Sequence, residues 1–415
     1  MKKYILIILC CLTSFPLWSY NVNMIVEHYS VDQGLPNNTV NCTLKDRDGF
    51  IWFGTWYGLC CFDGVKFKTF NKQEHDSDVP PRKIQRIVED KNGYIWVKTI
   101  DRKLYVFNKV TECFHAVYDD MKNYSENIQV IKLQNTAEGD VLLLTKDKNL
   151  LLAGVDEKGQ VTIKILFDSR DEINKHDYTL KHHVLCETEE YISWIGTDYK
   201  VSAVHKGAEL ASRPADFITS KINSGDKDSF TSFFEDGRKV WVGDRAGIFY
   251  SIDVRTGLVN RYVLSEIKGA ISNLLVTPAG YVYLSVAGQG TYEYDLAERR
   301  LQKINTEMND AMVTHAFIDQ YDKIWFHENE KALIYYDPLN HTAKRFPFTM
   351  FGKITTLYSE DAGERGLFFL SPAGEAWLFD REHAEMVYIN KLKQLSNDRA
   401  NQQFYHPVSY THLRA

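Results

Sequence analysis

The chain has 415 residues, 44% of them apolar and 25% charged, enough to bury a large core and too hydrophobic for wholesale disorder. Aromatic residues reach 13%, with 24 Tyr, 23 Phe and 8 Trp, an enrichment that suits half-buried strands, where wide flat side chains pack on a pleated surface. The formal net charge is −6, without a basic block; this excludes the concentrated positive footprint that DNA or RNA binding requires, and no nucleic acid is expected as a partner.

Lys2 and Lys3 precede an apolar run from Tyr4 to Leu12, and polar residues return from Ser19 to Asn23. That is the layout of an export signal, and the run is short for a bilayer span. Residues 1–20 are expected to be a signal peptide, cut near Leu17-Trp18-Ser19, with a retained N-terminal anchor as the alternative. Cys10 lies inside the apolar run, too early to be a lipidated cysteine. Downstream, Cys42, Cys60, Cys61, Cys113 and Cys186 are odd in number and irregular in spacing. They outline neither a disulfide framework nor a zinc site, and read as small apolar fillers. No metal or cofactor is expected.

A repeated phrase then dominates the chain. It begins as Asp46-Arg47-Asp48-Gly49-Phe50-Ile51-Trp52-Phe53-Gly54-Thr55, followed by Gly58-Leu59 and Phe62-Asp63-Gly64. It returns as Asp90-Lys91-Asn92-Gly93-Tyr94-Ile95-Trp96-Val97 and, more degenerate, as Gly139-Asp140-Val141-Leu142 and Tyr191-Ile192-Ser193-Trp194. Later copies are Asp236-Gly237-Arg238-Lys239-Val240-Trp241, Gly280-Tyr281-Val282-Tyr283, Asp322-Lys323-Ile324-Trp325 and Gly366-Leu367-Phe368. The Trp or its substitute falls at 52, 96, 142, 194, 241, 283, 325 and 368, at intervals of 42 to 52 residues. That is the length of one four-stranded propeller blade. The Asp/Asn-Gly cluster makes a tight turn, the Ile-Trp-Phe run alternates faces as a strand, and the Trp is large enough to fill the wedge between blades. The expected fold is an all-β β-propeller of four-stranded blades, seven-bladed over residues 21–350, with residues 351–405 opening a second propeller. A single eight-bladed ring is the alternative, and a β-sandwich or β-helix is the competing architecture.

The opening Ser30-Val31-Asp32-Gln33-Gly34-Leu35-Pro36-Asn37-Asn38-Thr39-Val40 leads directly into this phrase. Together they resemble the start of the periplasmic sensor region of hybrid two-component systems of Bacteroides-type bacteria. The resemblance implies two consecutive propellers, then a β-sandwich, a membrane helix, a histidine kinase, a receiver and a DNA-binding domain. It further implies a homodimer tethered to the inner membrane that detects a glycan-derived oligosaccharide. This chain carries no phosphoacceptor-histidine phrase and no glycine-rich nucleotide boxes. Its last residues, Val408 to Ala415, read as translated adapter sequence, so 406–415 are expected to be non-native and the chain to be a fragment.

Catalytic constellations are weak. Asp46, Asp90 and Asp236 recur at the turn position, which turn chemistry explains without general acid–base pairing. His182-His183 would point to opposite faces of a strand and is read as a solvated loop. The Asp-to-Gly spacing departs from the sialidase-type turn motif, and no arginine triad can be assigned; a secreted propeller glycosidase or lyase is kept as the rival reading, with a protein-interaction platform as a third. Binding is the better expectation. The turns between second and third strands vary while their glycines recur, and they are expected to carry Trp56, Tyr57, Asp101, Arg102, Asp198, Tyr199, Asp244, Arg245, Gln289 and His327. Aromatic rings beside carboxylates and guanidinium groups suit sugars, because CH faces stack on rings and hydroxyls take paired hydrogen bonds. The competing reading of the same loops is polar turns exposed to water.

Overall fold

The structure, a computed structural model, describes residues 29–70, 80–121, 129–146, 149–167, 180–196, 201–207, 215–216, 230–304, 313–328, 331–351, 358–361, 366–371 and 375–391. The expected signal segment and the expected non-native end lie outside the described residues. What is described is eight four-stranded antiparallel sheets, each made from strands consecutive in sequence. In the first, Val40–Lys45, Ile51–Thr55, Gly58–Phe62 and Phe67–Phe70 pair in that order. The others span 84–116, 130–167, 180–216, 230–262, 271–303, 313–347 and 358–391, and are numbered blades 2 to 8. Two compact units result: blades 1 to 7 lie within Tyr29–Met350, and blade 8 within Phe351–Ser396.

Within the larger unit the first strands of neighbouring blades touch, in blades 1 and 2, 2 and 3, 4 and 5, 5 and 6, and 6 and 7. The first strand is therefore innermost and the fourth outermost, the layout of a β-propeller. Burial follows from it. The second strand of blade 2, Ile95–Thr99, is buried along its whole length, because neighbouring sheets cover both its faces. The outer strand Leu258–Tyr262 of blade 5 has no buried residue.

One couple recurs at the first hairpin of four blades. The indole N–H of Trp52 donates to Asp46 Oδ2 at 2.8 Å, Trp96 to Asp90 at 2.8 Å, Trp241 to Asp236 at 2.8 Å and Trp325 to Asp319 at 3.3 Å. The other carboxylate oxygen accepts two backbone N–H groups of the turn, Asp48 and Phe50 on Asp46 and Asn92 and Tyr94 on Asp90. One aspartate thus shapes the turn and satisfies a buried indole that would otherwise lack an acceptor. The rings fill the wedges between blades: Trp52 lies 5.5 Å from Phe107 of blade 2, and Phe249 5.7 Å from Tyr294 of blade 6.

A second device joins the inner strands. All seven blades of the larger unit carry a register shift near the start of the first strand. In three of them the residue left out of the pairing reaches the next blade. Asn41 donates to Ile84 O at 2.7 Å, Thr231 to Ile271 O at 2.7 Å and Ser272 to Val313 O at 3.2 Å. Crowding there explains Gly54 and Gly243: a Cβ on Gly54 would collide with Cys42 and Ile84, and one on Gly243 with Ser232 and Ile271.

A lysine clasp closes two of the blade junctions. Lys109 Nζ reaches Asp46 at 3.1 Å, Asp48 at 2.8 Å and Glu89 at 2.8 Å, tying blade 1 to blade 2. Lys206, likewise just past a third strand, reaches Glu138 at 2.8 Å and Glu187 at 2.5 Å, tying blade 3 to blade 4. Glu89 and Glu187 also accept a backbone N–H of the preceding blade, from Arg47 at 2.9 Å and Ala137 at 3.0 Å. Glu235 of blade 5 repeats this acceptance from Glu187 N, but buried Val254 occupies the place past its third strand. Burial pushes the Glu235 carboxyl up to about 7, and the nearby charge of Glu187 adds to it against the pull of the Glu187 N–H and of Lys132.

Two outcomes are expected. Asp90→Ala removes the acceptor of a buried indole N–H and the acceptor of two turn N–H groups, and should lower unfolding free energy by about 2–3 kcal/mol in urea titration. Asp253→Ala, which loses a third-hairpin turn acceptor toward Arg255 and Thr256, should cost under about 1 kcal/mol. Glu235 binds its proton more tightly folded than unfolded, so its contribution is full below pH 4.5 and is lost as pH rises through about 7. Glu235→Gln should match the parent at low pH and exceed it by on the order of 2 kcal/mol above pH 7.

Candidate functional site

The turns between second and third strands meet the segments that enter the next blade. Trp56 N donates to Thr39 O at 3.1 Å, and Trp56 O accepts from Lys83 N at 2.9 Å. Ile100 N donates to Lys83 O at 2.9 Å, and Arg102 O accepts from Val130 N at 2.9 Å. These backbone bonds gather the turns of blades 1 and 2 beside the entry to blades 2 and 3.

The side chains expected to bind are not equally available there. Trp56 is half-buried with Lys83 Nζ 5.4 Å from its ring, and Tyr57 beside it is 60% exposed. Asp101 Oδ1 accepts from Thr99 Oγ1 at 2.5 Å, and its other oxygen lies 3.6 Å from Lys103. Arg102 is exposed, held at φ 67°, and its guanidinium lies 3.4 Å from Gln129 Oε1. Asp244 is buried and its Oδ1 accepts from Ala246 N and Ile248 N at 2.9 and 2.8 Å, so it shapes its own turn; burial raises its carboxyl above the usual carboxylate range. Arg245, next to it, is exposed. Gln289 is committed to the entering segment, accepting from Lys268 N at 2.7 Å and donating to Glu266 O at 3.2 Å. Asp198 and Tyr199 lie outside the described residues. His327 departs from the expectation of a turn residue: it lies within the second strand Ile324–Glu328, opposite His315, with its ring 5.1 Å from Phe348. Burial lowers its pKa, and His315 lowers it further.

The structure adds a group that the repeat phrase conceals. Lys98 is only 6% exposed and occupies the strand position that Gly54 and Gly243 hold in blades 1 and 5. Its cross-strand partner is Arg86, its ammonium donates to Gln85 Oε1, and among the described residues the charged groups that act on it are two cations, Arg102 and Arg86. Burial first, and then those two charges, bring its pKa down to about 8. The only sequence signal was a lysine where the phrase has glycine.

Asp46, Asp48 and Glu89 lie close enough together to hold a metal ion, but the Lys109 ammonium bonds all three carboxylates. Although burial alone would raise the Asp46 carboxyl, the hydrogen bonds from Trp52 and Lys109 hold it below its usual value. The cluster is a structural clasp. Burial likewise pushes the Cys60 thiol up to about 12, the behaviour of an inert filler.

Fold and turn geometry define the class as an all-β propeller of repeated four-stranded blades. Residues 34–57 match the family described as two component regulator propeller, so the chain carries that repeat at the start of blade 1. No curated protein matches the sequence. Among solved structures, the chain is similar to the extracellular domain of a hybrid two component system from B. thetaiotaomicron, at 13% identity over 88% of this chain and 62% of that one, with a TM-score of 0.39. A second such domain from B. thetaiotaomicron is 15% identical over 89% of this chain and 55% of that one, at a TM-score of 0.37. Virginiamycin B lyase from Staphylococcus aureus is 12% identical over 72% of this chain and 94% of that one, at 0.41. The chain thus spans less than two thirds of the two extracellular domains it aligns with.

Lys98 yields a pH prediction of opposite sign to that of Glu235. Its folded pKa is lowered from 10.5 to about 8, so the unfolded chain binds the extra proton between those values and stability rises with pH across them. Lys98→Met should raise unfolding free energy at pH 7 by on the order of 2–3 kcal/mol, and that advantage should vanish above pH 10.5, as read by urea titration along a pH series.

Proposed function

We propose that this chain is the ligand-sensing propeller module of a two-component sensor, working outside the cytoplasm and tethered to the inner membrane in its parent protein. The observation that carries the reading is the two component regulator propeller match at residues 34–57, which falls on the entry to blade 1 and its first hairpin. The aspartate–tryptophan couple of that blade then recurs in blades 2, 5 and 7, so the matched repeat is representative of the architecture. In this reading the chain is not itself an enzyme. It binds an oligosaccharide on the face where the turns of blades 1 and 2 meet, and a homodimeric parent relays occupancy to a kinase and DNA-binding part that control polysaccharide-utilisation genes. Support for a sugar comes from the half-buried Trp56 ring beside the cation Lys83 and from the exposed Tyr57 next to it.

Titration calorimetry of the purified chain against a panel of neutral and acidic oligosaccharides tests this. Saturable binding with the saccharide recovered intact is expected, and Trp56→Ala should weaken it about tenfold by removing a stacking surface. Silence across the panel by the folded chain would remove the sensor reading, and chain-length reduction of a polysaccharide would transfer the site to a propeller hydrolase or lyase.

A further inference from the structure

We infer that the inner end of blade 2 is a binding site for an anionic group, a carboxylate or sulfate ester, with Lys98, Arg86 and Arg102 as its cationic walls. The inference rests on the proposed sensor role for the class of ligand, and on the following geometry for the site. Arg86 and Lys98 are direct cross-strand partners, the arrangement in which like charges destabilise a sheet. Lys98 as a residue is more than nine-tenths buried, a placement that is expensive for a charge without a counter-ion. Gln85 Oε1 takes one of its three N–H donors. In blades 1, 5 and 6 the residue equivalent to Gln85 is spent on the next blade's opening carbonyl; in blade 2 its amide oxygen faces the lysine instead. Arg102 stands at the adjoining turn with positive φ, as does Lys83 on the strand entry.

The contrast with Lys109 and Lys206 sharpens this. Each of those lysines sits against two or three carboxylates of this chain. At Lys98 the interacting charges among the described residues are both positive. A ligand carboxylate or sulfate entering between the guanidinium groups would supply the missing opposite charge and accept paired hydrogen bonds from planar donors. The ligand class this selects is an acidic saccharide, uronate-bearing or sulfated.

The experiment uses the full chain at pH 7 and constant ionic strength, titrated separately with sodium sulfate, sodium glucuronate, a sulfated disaccharide, a uronate disaccharide and a neutral disaccharide. Saturable binding of the acidic probes is expected, with dissociation constants at least tenfold weaker in Lys98→Met and in Arg102→Ala. Circular dichroism and thermal unfolding would confirm that both variants are folded, and Lys98→Met should melt no lower than the parent. Acidic probes that bind Lys98→Met as tightly as the parent, or that do not bind the parent at all, would overturn the inference. If neutral disaccharides bind and acidic ones do not, the anion site falls while the sensor role stands. If inorganic sulfate binds through Lys98 and no saccharide binds, the anion site stands and the sugar-sensing role falls.

Discussion

The buried indole is the constraint around which each strong blade is organised. A tryptophan large enough to fill the wedge between sheets brings an N–H that water no longer reaches. The first-hairpin aspartate answers it, at 2.8 Å in blades 1, 2 and 5. Where the tryptophan is gone, the aspartate is gone too. Blade 3 has Leu142 with Thr136 in the turn, and blade 6 has Tyr283 with Thr277. The threonine hydroxyl still accepts the turn N–H, at 3.1 and 3.2 Å, which is all those turns require. Tyr283 instead donates to Glu293 at 2.8 Å, and that carboxylate also accepts from Tyr336 of blade 7 at 3.1 Å. A different polar pair, on a different strand, performs the same task.

That coupling decides what could be read in advance. The four-stranded repeat is visible because a turn residue and a large apolar side chain recur wherever a turn and a wedge recur. The turn role of Asp46 and Asp90 is legible for the same reason. Their second role, as indole acceptors six residues away, depends on the twist that folds the second strand back over the turn. Cys60 is likewise legible as a filler, since nothing in its spacing asks for a partner and its side chain is fully buried.

For the residues expected to bind, exposure was more legible than local partners. Loop position predicts exposure, which suits Tyr57, Arg102 and Arg245, but it says nothing about local partners. Asp244 and Gln289 carry suitable groups and spend them on backbone N–H groups of their own turn and of the neighbouring segment. His327 lies two residues past Trp325, the strand position that Gly54 and Lys98 hold in blades 1 and 2, and so falls before the turn to which the expectation assigned it. Lys98 escaped notice because a repeat is read for what it conserves, whereas this residue is a departure from it. Crowding at the inner strands makes the departure informative. The position excludes a Cβ in blades 1 and 5, so a long cation there requires the neighbouring inner strand to make room.

The same unevenness marks the junctions between blades. Blades 1 and 2 are held by a lysine against three carboxylates, and blades 3 and 4 by a lysine against two. Between blades 4 and 5 the carboxylate of Glu235 remains and the clasping lysine is replaced by Val254. An ion pair at a half-buried joint adds little net energy when complete, but removing one partner leaves the other to bear the desolvation alone. The elevated Glu235 pKa is that desolvation expressed as proton affinity. Repeat proteins distribute stability through such nearest-neighbour terms. Near neutral pH the junction between blades 4 and 5 is therefore weaker than the two clasped ones, and acidification strengthens it by letting Glu235 take a proton.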